Sequence, residues 1–114
     1  MTRFFPAVMV VGVLSVSALP ALADVPIFID NDTGRGAWIT VYGGPMNDIL
    51  YSTCIAPHRS WSYRFPKGWG VPNRVRAEMT TQANCHHPKL ADFSRRVGNT
   101  LGTSIRESGG KFTW

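Results

Sequence analysis

The sequence predicts an all-β protein: a small antiparallel β-sandwich of about seven short strands, with a small closed β-barrel as the alternative. Three observations predict it. Apolar and polar residues alternate with a period of two in successive short runs, clearest at Trp61, Tyr63 and Phe65 and at Val75, Ala77 and Met79. The runs are separated by Gly-, Pro- and Asn-containing turns. The only two cysteines, Cys54 and Cys85, bracket the two clearest strands. Paired, they would close a loop of roughly 30 residues and stabilise the domain by about 3–4 kcal/mol. Local patterns do not distinguish a closed barrel from two packed sheets.

Residues 1–23 read as a cleaved signal peptide. Arg3 is followed by a nearly uninterrupted apolar run from Val8 to Leu19, then Pro20, then Ala21-Leu22-Ala23, a small-x-small cleavage site that leaves Asp24 as the new N-terminus. The alternative is a retained anchor, since Phe4 to Ala23 is about 20 residues, enough to span a bilayer. No cysteine lies at the cleavage site to accept a lipid. Residues 24–114 then form one domain of 91 residues. It keeps 11 of the 12 Lys and Arg and all seven acids, a formal charge of +4. An even cysteine count behind an export signal implies one disulfide in an oxidising compartment, periplasmic or extracellular. No C-x-x-C spacing favours redox exchange or metal binding.

Val25 to Asp30 opens the domain as a strand, with Pro26 suited to the start of an edge. Asn31 to Gly36 is a polar loop. Ala37 to Tyr42 alternates with large apolar groups on both faces, which requires a central strand or a covering loop. Gly43-Gly44-Pro45 ends it. Asp48 to Ile55 is the third strand, and Ala56-Pro57-His58-Arg59 leads into the Trp61-Tyr63-Phe65 strand as an antiparallel hairpin. Pro66 to Gly70 is a loop containing Trp69. Val71 to Thr81 follows, expected to place Val75, Ala77 and Met79 in the core with Trp61, Tyr63 and Phe65. Arg64, Arg74 and Arg76 then face water. Thr81 to Lys89 is a polar loop. Leu90 to Val97 fits a helical face or a strand face, and the all-β context selects strand. Thr103 to Glu107 and Lys111 to Trp114 form a last hairpin across Ser108-Gly109-Gly110, with Trp114 closing the core.

Three pieces in order, Asn31-Asp32-Thr33-Gly34 before Ala37 to Tyr42, Cys54-Ile55-Ala56-Pro57 before Trp61, and Val75 to Met79 before Cys85, resemble a group of small exported bacterial proteins of unassigned function. The resemblance spans most of the chain after residue 23. It implies an extracytoplasmic β-rich domain with one disulfide, and it transfers no catalytic residue. His58-Arg59 stands where such sequences often carry glycine.

No motif for catalysis or a cofactor is present. There is no G-x-S-x-G elbow, no phosphate-binding glycine loop, and no pairing of carboxylates for sugar hydrolysis. A hydrolase is therefore the least supported function. His86 and His87 are weak metal candidates: on a strand they would point to opposite faces, in a loop both could ligate one ion, and no zinc spacing occurs. The remaining candidate is an anion-binding surface of Arg59, Arg64, Lys67, Trp69, Arg74 and Arg76, joined by Arg95 and Arg96 from a later segment, which requires that their strands be neighbours. The function expected is a non-enzymatic binding protein engaging an anionic glycan, lipid or other envelope component. The alternative is a membrane-active β protein acting on anionic lipid, and solubility alone also explains the charge.

Overall fold

The computed structural model describes residues 24–66, 71–86 and 88–114, so Lys67, Trp69 and His87 lie outside the described residues. The described residues form eight strands in order: β1 Val25–Asp32, β2 Ala37–Gly43, β3 Asp48–Ile55, β4 Arg59–Phe65, β5 Pro72–Thr80, β6 Lys89–Arg96, β7 Leu101–Ser108 and β8 Lys111–Thr113. They form two four-stranded sheets, β4-β1-β7-β8 and β3-β2-β5-β6. The result is a sandwich rather than a closed barrel. The ambiguous 90–97 segment is strand β6, and β2 is central in the second sheet, as its two apolar faces require.

The inner faces carry Val25, Ile27 and Ile29, then Ala37, Ile39 and Val41, with Val75, Ala77 and Met79 opposite, and Phe65, Leu101 and Ile105 completing the core. This is the period of two at work: every second residue is sealed off. Aromatics fill the two open sides. On one, Tyr51 of β3 lies between Trp61 and Tyr63 of β4, its ring stacked at 5.7 and 5.6 Å from theirs. On the other, Phe93 of β6 stacks on Trp114 at 5.1 Å and meets Phe112 edge-on at 6.4 Å.

Four expectations change. First, β1 and β7 pair in parallel, from Ile27 opposite Leu101 to Asp32 opposite Arg106, so the sandwich is not wholly antiparallel. β1 is thereby central, and Pro26 is accommodated because it precedes the first β7 partner. Second, β3 and β4 belong to different sheets, so the 56–58 turn is a corner between layers and not a hairpin. His58 takes the left-handed conformation there, φ 58°, the position where glycine is the easier residue. Third, Phe65 alone of its trio is fully buried; Trp61 is half-buried and Tyr63 is exposed, because β4 is an edge strand whose inner face opens at the mouth between sheets. Fourth, Ser108 pairs with Lys111, leaving a two-residue loop whose Gly109 and Gly110 both have positive φ.

Candidate functional site

The outer face of the second sheet carries the richest chemistry. Its registers place side chains in transverse rows: Cys54, Trp38, Glu78, Asp92; then Ser52, Thr40, Arg76, Ser94; then Ile49, Tyr42, Arg74, Arg96. The two ends of this face differ sharply in electrostatics.

At one end, the disulfide holds the 81–88 loop over the sheet. Cys54 and Cys85 are bonded with Cα atoms 5.8 Å apart. Gly36 makes the close approach possible, because a Cβ there would sit 2.3 Å from the Gln82 carbonyl oxygen. Thr80 fixes the same junction, donating its N–H and its hydroxyl to the Gly36 carbonyl at 3.0 and 3.1 Å. The result is a cleft of about 450 Å³ lined by Trp38, Glu78, Thr80, Asn84, Cys85, His86 and Lys89. Its charges answer one another. Arg76 donates to Asp92 and, at 3.1 Å, to Glu78, while Lys89 lies 3.2 Å from Asp92 and 3.5 Å from Glu78. The Arg76 hydrogen bond is the main cause holding the Asp92 carboxyl down at about 2. The same bond raises the Arg76 guanidinium above its ordinary value.

At the other end lies a cleft of about 280 Å³ lined by Asn47, Asn73, Arg74 and Arg96. Arg74 and Arg96 are directly opposed across β5 and β6. Like charges in that position repel, and among the described residues no carboxylate pairs with either. Arg74 rests instead over the Tyr42 ring, 4.3 Å from its centre. The walls are fixed by backbone bonds: Gly44 N–H to Val71 carbonyl at 3.1 Å, Asn47 N–H to Gly44 carbonyl at 3.3 Å, and Val97 N–H to Asn73 carbonyl at 2.9 Å. Two guanidinium forks and two amides around one opening are donors suited to a phosphate, sulfate or carboxylate.

The sequence-derived cationic set is divided by this fold. Arg74 and Arg76 share the outer face of the second sheet, but Arg76 is fully engaged with carboxylates. Arg59 and Arg64 lie on β4 of the first sheet, so they do not join that face. The structure adds Asn47 and Asn73, and the register of β5 against β6 sets Arg96, a later-segment cation in the sequence, directly opposite Arg74. His86 lines the disulfide-side cleft, whereas His58 faces Asp32 with Nδ1 3.5 Å from its carboxylate. Among the described residues no group of three His, Cys, Asp or Glu converges as a metal site.

No family model matches this chain, and no curated protein or solved structure gives a significant match.

Proposed function

We propose that this chain is an exported, non-enzymatic binding module that engages an anionic component of the envelope or its surroundings through the Arg74–Arg96 cleft. One observation carries the reading. Arg76 is neutralised by Glu78 and Asp92, whereas Arg74 and Arg96, one row away on the same face, oppose each other with no carboxylate partner among the described residues. An external anion relieves that repulsion and accepts from both forks. Export, to the periplasm or the medium, is supported by the leader-like residues 1–23, by the disulfide, and by the resemblance to small exported proteins.

The test is binding of dextran sulfate at low salt. Wild type should bind, and the binding should fall steeply as salt screens exposed charges beyond about 8 Å. Arg74→Glu with Arg96→Glu should abolish it, whereas Arg59→Glu with Arg64→Glu, on the other sheet, should reduce it much less. Equal losses in the two double variants would mean that net charge, and not this cleft, does the binding.

A further inference from the structure

The cationic cleft adjoins the most exposed apolar surface among the described residues. Met46 and Ile49 are 77% and 63% exposed, and Val71 is 46% exposed. Met46 sits in the 44–47 turn, which the Gly44 to Val71 hydrogen bond ties to the start of β5. Gly43 allows that contact, since a Cβ on it would fall 2.5 Å from the Val71 carbonyl oxygen and 2.6 Å from Leu50 Cδ1. The apolar tip is thus built into the fold rather than left loose. A second opening, lined by Gly44, Pro45, Val71, Pro72, Asn73, Val97 and Gly98, shares Asn73 with the cationic cleft. Across the sheet, Ile49, Tyr42, Arg74 and Arg96 stand in one row at strand spacings of about 5 Å. The sequence of that row is apolar, aromatic, cationic, cationic.

We infer that the anionic partner is a bilayer surface containing anionic lipid, met by this end of the sandwich. The inference rests on the cationic cleft being a binding site and names what fills it. Met46, Ile49 and Val71 enter the headgroup boundary, Tyr42 lies at its level, and Arg74 and Arg96 take lipid phosphates. Charge complementarity selects anionic lipid: on the second sheet, Arg74, Arg95 and Arg96 lie toward this end against the acid Asp48. Each arginine near an anionic leaflet strengthens binding by about fivefold, and a few apolar side chains add a comparable factor. Neither contribution alone gives stable attachment, so the binding is peripheral, reversible and dependent on both.

The test is co-sedimentation of the exported protein with vesicles of phosphatidylcholine and phosphatidylglycerol, against pure phosphatidylcholine and against soluble dextran sulfate. Wild type should bind the anionic vesicles and not the neutral ones. Met46→Ser with Ile49→Ser should weaken vesicle binding by about tenfold or more and leave dextran sulfate binding unchanged. Arg74→Glu with Arg96→Glu should lose both. Unchanged vesicle binding by the serine variant overturns the inference. So does a wild type that binds dextran sulfate but not anionic vesicles, a result that leaves the cationic cleft standing with a soluble glycan as its ligand. Binding to neither probe removes both readings.

Discussion

Asn31 shows how a single polar residue organises this fold. It is fully buried in β1, where its Nδ2 donates to the Arg35 carbonyl at 2.7 Å and the Ile55 carbonyl at 2.9 Å, and its Oδ1 accepts from the Thr33 hydroxyl at 2.7 Å. One amide therefore ties the β1–β2 corner to the β3–β4 corner. Asn31→Ala should cost about 2–4 kcal/mol, because it removes these bonds and leaves the Ile55 carbonyl buried without its donor. Urea unfolding checks this, and a loss under about half a kcal/mol would show the amide to be dispensable. The sequence suggested that a loop began at Asn31; a polar side chain at an inner position reads as surface until its partners are known. Gly36 was legible only as a turn glycine. Its role in seating the 81–85 backbone depends on a contact across 46 positions of chain, from Gly36 to Gln82.

Among the elements, β4 and the β5–β6 pair yield the clearest tests. Phe65 is sealed in the core whereas Trp61 is half-buried at an edge. Phe65→Ala should cost roughly 3–5 kcal/mol, and Trp61→Ala clearly less. Equal costs in thermal or urea unfolding would contradict the edge placement. The ion-pair network joining β5 to β6 predicts a pH effect. The Asp92 carboxyl is held down at about 2 by the Arg76 hydrogen bond. Its stabilisation is then complete above the usual carboxylate value near pH 4 and is lost as pH falls from there towards about 2. At a half-exposed site the amount is below about 1 kcal/mol. Asp92→Asn should flatten that part of the acid limb, and an unchanged stability profile between those pH values would remove the network from the account.

For the whole molecule, the architecture and the bridge were legible, and the partners were not. Alternation in β2 and β5 reports which face is buried, and it does so correctly at Val75, Ala77 and Met79. It does not report which strand lies alongside or in which direction. The short 56–58 connection therefore passed for a hairpin although β3 and β4 belong to separate sheets, and the parallel β1–β7 pair left no local trace. The same blindness grouped Arg59 and Arg64 with Arg74 and Arg76, and gave Arg96 only as a cation of a later segment, which the β5–β6 register brings opposite Arg74. The Cys54–Cys85 bridge joins β3 to the loop after β5 across the face of β2, and its reduction should cost about 3–4 kcal/mol. Non-reducing peptide mapping of exported protein should recover the two cysteines in one linked species; two free thiols would contradict it.

The central claim is that anions are taken by one cleft of the second sheet and not by the protein's charge at large. Its most direct measurement is an NMR titration with inositol hexakisphosphate, following backbone amides, Asn side-chain amides and arginine Nε–H groups. Saturable shifts should concentrate at Asn47, Asn73, Arg74 and Arg96, with Arg59 and Arg64 on the first sheet barely moved. Shifts spread evenly over all exposed arginines, or centred on Arg59 and Arg64, would contradict the account.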